Sequence, residues 1–216
     1  MFKKKTVLMT ALIGVLISSP VYPLGIGDLV DSAKKVLSKD SETDTDQNSH
    51  VSTSNTYRSD VGESSIAIGF SPEGSAQKAI LDLIGSAQKE IRLSAYSFTS
   101  PEVVKALTQA KRRGVDVKLV VDYKGNTGKL SVAAMNLIVN AGIPIRTIQK
   151  YAIHHDKFIV VDRVSVETGS FNYSRSANLR NSENVIVLYN MPQVATQYLN
   201  HWTSRWNDGK EWESTY

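Results

Sequence analysis

IRLSAYSFTSPEVVKALTQAKRRGVDVKLVVD, residues 91–122, holds one complete strand, helix and strand in succession. The run over 91–97 is apolar and β-prone. Ser100-Pro101-Glu102 supplies an N-cap with proline at the first helical position, and Gly114 after Arg113 marks the end of a helix over 101–113. Residues 115–122 return to a strand pattern. Two strands joined through a helix of this length pair in parallel by a crossover connection. Working outward, the same alternation predicts strands near 65–70 and 143–148 and helices near 75–88 and 129–141, the last closed by Gly142. The fold class expected is α/β, a mostly parallel mixed sheet sandwiched by helices on both faces. Runs near 157–162 and 165–170 stand too close together for a crossover helix and predict a hairpin. A strand near 184–189 and a terminal helix over about 192–207 complete the domain.

The remaining chain reads differently. Residues 1–25 combine Lys3, Lys4 and Lys5 with an apolar stretch from Thr6 to Ser19 and the helix breakers Pro20 and Pro23, the pattern of an export signal or an uncleaved anchor. The apolar stretch is shorter than the roughly 20 residues a bilayer span needs, so no stable span is expected unless the signal stays uncleaved. Residues 26–64 begin with a weakly amphipathic segment, Ile26 to Leu37, and continue as a polar, acidic linker too poor in large apolar residues to order itself. The folded domain is expected over 65–216, at a periplasmic or secreted destination. Cysteine is absent, so that domain must be stable without disulfides. Net charge, +4 for the whole chain, is distributed unevenly. Residues 64–216 carry 18 Lys and Arg against 13 Asp and Glu, a mild excess that suits a polyanionic substrate without requiring one.

The chemistry gathers in His155-Asp156-Lys157-Phe158-Ile159-Val160-Val161-Asp162 and, six residues on, Gly169-Ser170-Phe171-Asn172. Along an extended strand, residues i and i+2 share a face, which places His155 with Lys157 and turns His154 and Asp156 away. A hairpin symmetrical about Arg163 and Val164 would set Lys157 opposite Ser170 and His155 opposite Asn172. A phosphodiester is an anion that resists attack, so fixed donors such as Lys157, Ser170 and Asn172 are needed on its non-bridging oxygens. A neutral imidazole, His155, is a competent nucleophile near pH 7.

The spacing His-x-Lys-x4-Asp-x6-Gly-Ser-x-Asn resembles the signature of the phospholipase D superfamily, and residues 65–210 resemble the small bacterial Nuc-type endonucleases. Further parts of that resemblance are Ala95-Tyr96-Ser97-Phe98-Thr99-Ser100, Lys111 to Val117 and Asn140-Ala141-Gly142-Ile143-Pro144. The resemblance implies that His155 attacks phosphorus to form a phosphohistidine. Lys157, Asn172 and Ser170 would hold the phosphoryl oxygens. Glu183, 28 residues after His155, would accept a hydrogen bond from the nucleophile's second ring nitrogen. Asp162 and Gly169 belong to the motif as structural residues. Arg163 stands where relatives commonly carry a turn glycine. The superfamily site uses two such motifs, and this chain has one, so a homodimer with a shared site is implied. The implied substrate is nucleic acid, DNA in the first place with RNA as a further class. Lipid phosphodiesters such as cardiolipin are the rival, and a non-catalytic nucleic-acid-binding module is a third reading. No cofactor and no metal are implied.

Other signals are set aside on physical grounds. Lys124-Gly125-Asn126-Thr127-Gly128-Lys129 lacks the spacing of a phosphate-binding P-loop. Lys111, Arg112 and Arg113 suit a helix C-terminus. His50, His154 and His201 form no tidy ligand cluster with carboxylates. Trp202, Trp206 and Trp212 read as packing residues of the terminal region.

Overall fold

The computed structural model describes residues 62–215, so the expected signal and nearly all of the linker lie outside the described residues. In chain order the elements are β1 (Ser65–Ser71), α1 (Ser75–Ser86), β2 (Glu90–Ala95), α2 (Pro101–Arg112), β3 (Asp116–Asp122), α3 (Lys129–Asn140) and β4 (Ile145–Ile148). They continue with β5 (Lys157–Val161), β6 (Ser165–Gly169), α4 (Arg175–Leu179), β7 (Glu183–Tyr189), α5 (Pro192–Asp208) and β8 (Lys210–Glu211). Among the described residues no helix is long and apolar enough to cross a membrane.

The boundary signals act as expected. Ser100 caps α2 by accepting a hydrogen bond from the Val103 amide, Pro101 occupies the first turn, and Gly114 and Gly142 end their helices at φ 94° and 77°. Sequence reading did not anticipate α4, whose N-cap Ser174 accepts from the Ala177 amide, or the two-residue β8. Both are too short for a periodicity to register.

The eight strands of the described residues form one mixed sheet in the order β1-β7-β6-β5-β2-β3-β4-β8. The mixed sheet between helical layers is as expected. Its parallel part, however, is confined to β2-β3 and β3-β4, while five pairings are antiparallel. The alternation suggested more parallel pairing because it carries no information on which strands become neighbours. β1 leaves its sequence neighbour β2 and closes the far edge against β7.

The two faces bury unequal cores. On one, Ile91, Leu93, Leu119 and Ile159 meet the apolar stripes of α1, α2 and α3, among them Ile80, Leu107 and Ile138. On the other, Val120, Phe158, Val160 and Val166 lie under α5, which contributes Ala195 and Trp202. Trp202 stacks on Trp206 at 5.1 Å between ring centroids and donates its indole N–H to the Leu93 carbonyl, so both rings anchor α5 to the sheet. Truncating a buried leucine such as Leu93 to alanine would cost about 2–5 kcal/mol.

The hairpin register differs from the expected one. Val161 pairs with Ser165 and Phe158 with Thr168, so the turn takes three residues, Asp162, Arg163 and Val164. Asp162 and Arg163 both sit in the left-handed region, at φ 52° and 61°. The cause is Asp162, whose carboxylate accepts hydrogen bonds from the amides of Gln88, Lys89 and Glu90 at 2.7–2.8 Å. That claw fixes the turn against the start of β2 and shifts the ladder by one residue from a symmetrical two-residue turn. Continued to its end, the register sets Lys157 alongside Gly169 in place of Ser170, and leaves His155 and Asn172 beyond the ladder.

Candidate active site

The site forms where β2 and β3 end and β5 begins, the side of an open α/β sheet where ligand groups collect. The segment entering β5 is fastened by His154. This residue is buried, its amide donates to Asp122 Oδ1 at 2.8 Å, and its Nε2 lies 2.9 Å from Ser94 Oγ. Burial pushes the His154 imidazole below its ordinary pKa, against the pull of the Asp156 and Asp122 carboxylates. With His154 pinned inward, His155 turns outward and is exposed, its ring against Tyr96 with centroids 4.7 Å apart and planes at 58°.

Lys157 lies in the first position of β5, on the face shared with Ala95. Its Nζ donates to the His155 carbonyl at 3.0 Å and stands 5.4 Å from the centre of the Tyr96 ring. Burial lowers the ammonium pKa, and the nearby carboxylates of Glu183 and Asp156 act to raise it. Tyr96 thus braces both the imidazole and the ammonium. In the sequence Tyr96 is marked only by its place just beyond the C-terminal end of β2.

The second half of the motif follows β6. Gly169 pairs with Val185 in β7, and a Cβ there would lie 2.2 Å from the Asn184 carbonyl oxygen, so only glycine permits the two strands to approach. Ser170 donates its hydroxyl to Glu183 Oε2 at 2.5 Å and accepts from the Asn184 amide at 3.1 Å. The other Glu183 oxygen accepts from Asn181 at 2.8 Å. Both carboxylate oxygens are therefore engaged, and among the hydrogen bonds of the described residues none joins Glu183 to His155. Within this one chain the Glu183 carboxylate thus orients Ser170. Asn172 has a buried side-chain oxygen with no hydrogen-bond partner.

One contact brings a distant residue to this edge. His201, on α5, donates from Nε2 to Asp156 Oδ2 at 2.8 Å, and the same Asp156 oxygen lies 3.7 Å from His154 Nδ1. No sequence spacing links Asp156 to His201. Among the described residues no group of three or more His, Asp or Glu side chains is disposed to hold a metal ion.

An exposed imidazole beside a partly desolvated ammonium, with serine and asparagine side chains following the adjacent strand, suits an attack on a phosphorus centre. Residues 80–206 match the family described as "Cardiolipin synthase, PLD-like domain". The chain belongs to the phospholipase D superfamily. Among solved structures it is similar to Nuc from Salmonella typhimurium, a phospholipase D family member, with 55% identity and a TM-score of 0.70 over 70% of this chain and all of that one. A phospholipase D of Rickettsia bellii is 34% identical over 147 residues, 68% of this chain and 72% of the relative. The mitochondrial cardiolipin hydrolase of Mus musculus is 30% identical over 114 residues, 53% of this chain and 51% of that one. This superfamily member, close to the Nuc type, is a phosphodiesterase.

Proposed function

We propose that this phosphodiesterase is an exported, metal-independent endonuclease that cleaves DNA, and RNA as a further substrate, at a site completed by a second copy of the chain. The observation that carries the reading is the fixed pair of His155 and Lys157 against Tyr96, a nucleophile and an anion-binding cation held by one ring. In the first step the His155 imidazole forms a nitrogen–phosphorus bond and the bond from phosphorus to the leaving oxygen breaks. The corresponding imidazole of the second copy gives that oxygen a proton. In the second step water attacks phosphorus, loses a proton to the same imidazole, and releases His155. Lys157, Ser170 and Asn172 offset the charge on the non-bridging oxygens, and Glu183 holds Ser170 in position.

Support for nucleic acid comes from the basic excess over residues 64–216 and from the higher identity to Nuc, 55%, than to the Rickettsia phospholipase D, 34%. Support for a second copy comes from the single motif. It comes also from Ile66, Ile68 and Phe70, exposed on edge strand β1, whose last residue, Ser71, pairs with Glu183. Residues 1–25 support a periplasmic or secreted location. The similarity to a cardiolipin hydrolase favours lipid phosphodiesters as the second reading.

The purified protein should nick plasmid DNA in excess EDTA and leave cardiolipin vesicles intact, and His155→Ala should abolish cleavage while remaining folded and dimeric. Cleavage lost in EDTA would defeat the metal-independent mechanism. Hydrolysis of cardiolipin without cleavage of DNA would overturn the nuclease reading, and a fully active monomer at high dilution would overturn the shared site.

A further inference from the structure

A cavity of about 450 Å³ opens directly beside the proposed nucleophile, and its walls include His155, Lys157, Phe158, Gln197, Tyr198 and His201. The last three project from one face of α5, since positions three and four apart on a helix are neighbours. Phe158 forms the floor. The Tyr198 ring meets it edge-on with centroids 5.0 Å apart, and the His201 ring lies 5.9 Å away at 56°. His201 is held by Asp156 at 2.8 Å, so that carboxylate is compensated and the imidazole is fixed in one orientation. Gln197 is exposed at the cavity wall with a carboxamide that donates and accepts.

These walls discriminate among occupants. An acyl chain would strip water from Gln197, His201 and Asp156 without returning hydrogen bonds. A second phosphate would find one imidazole, already paired with Asp156, and would face that carboxylate. A flat heterocycle can lie against aromatic rings and satisfy the amide and imidazole at its edge. Because His155 and Lys157 belong to the same cavity, a phosphorus centre at His155 places one of its two nucleosides within reach of α5.

We propose that Gln197, Tyr198 and His201 form a nucleobase subsite that receives the base on one side of the scissile phosphate and makes cleavage depend on its presence. The proposal rests on the nuclease reading above and names the part of the substrate recognised outside the phosphate. Tyr198 supplies the ring against which the base stacks, Gln197 addresses its edge, and Asp156 acts through His201 as a positioning residue.

The test uses the full dimeric protein and short oligonucleotides that carry a single natural phosphodiester, all other linkages being methylphosphonate. One series has normal bases, and two others are abasic at the nucleoside on either side of the cleavable bond. Loss of one base–aromatic stack should lower kcat/KM by about tenfold for the abasic substrate on one side and far less on the other. Tyr198→Leu keeps a side chain over Phe158, should lower kcat/KM for the intact substrate by a similar factor, and should erase the difference between the two abasic substrates. Gln197→Ala, at an exposed position, should change the ratio of rates among the four bases on that side. Equal rates on all three substrates with wild-type protein would overturn the subsite, as would a side preference that survives Tyr198→Leu. Failure to cut any oligonucleotide, with turnover of cardiolipin vesicles, would instead overturn the nuclease reading beneath it.

Discussion

Glu167 is a carboxyl group in the wrong surroundings, and its titration should dominate how this fold responds to alkali. It sits on β6 between Ile159 of β5 and Val187 of β7, with none of its surface exposed. The Tyr173 hydroxyl donates to its Oε2 at 2.7 Å, while Oε1 has no partner. Burial, against that one favourable bond, raises the carboxyl pKa from 4.5 to about 8. In the unfolded chain the proton leaves near pH 4.5; in the folded protein it stays until about pH 8. The folded state therefore holds one more proton across this window, and its stability falls as pH rises through it. The contribution is fully present below pH 4.5 and gone above about pH 8. At about 1.4 kcal/mol per pH unit the span corresponds to about 5 kcal/mol, comparable with the whole stability of many domains. Urea denaturation of wild type and Glu167→Gln from pH 5 to pH 9 measures it. Glutamine keeps an acceptor for Tyr173 and cannot ionise, so the stability of the variant relative to wild type should climb by several kcal/mol with rising pH. Two curves that run parallel over that range would refute the reasoning. The consequence reaches the site, because the Tyr173 carbonyl accepts from the Thr99 and Ser100 amides and Tyr173 follows Asn172 in the chain.

Two other substitutions separate scaffold from chemistry. Asp162→Asn keeps one acceptor oxygen but loses the charge that gathers three amides, and should lower stability by about 1–2 kcal/mol in the same denaturation assay, with kcat unchanged for the folded fraction. A loss of kcat without a loss of stability would assign Asp162 to the chemistry. Gly169→Ala forces a methyl group against the Asn184 carbonyl and should cost about 1–3 kcal/mol or more, with Ser170 displaced from Glu183; an unchanged melting temperature would show that β6 and β7 can part freely.

The parts of the fold legible in the sequence are those written over short range. The crossover from β2 to β3 could be read because cap, proline, apolar stripe and stop all lie within 91–122. Strand order could not, because β1 reaches β7 across the whole domain, and no local pattern encodes that partner. The hairpin shows how a local reading fails by one residue. Two flanking apolar runs allow a turn of two or three residues, and the choice is made by the Gln88, Lys89 and Glu90 amides, more than seventy positions away. The same shift separates Lys157 from Ser170, so any shared role has to come from the chain leaving the ladder after Gly169, not from facing each other across it.

At the site the division is chemical as well as spatial. The groups suited to an anion, His155, Lys157, Ser170 and Asn172, lie in one short motif, because a hairpin and the residues that flank it are enough to gather them. What lies beside the His155 imidazole is set by α5, where Tyr198 and His201 reach Phe158 and Asp156 through packing that no spacing reveals. A motif that handles phosphate can thus stay constant while a helix packed over it changes what is attached to that phosphate. Similarity of this one chain both to Nuc and to a cardiolipin hydrolase follows naturally from that arrangement. Substrate choice in such proteins should accordingly respond more to exchange of residues 197–201 than to any conservative change within the motif.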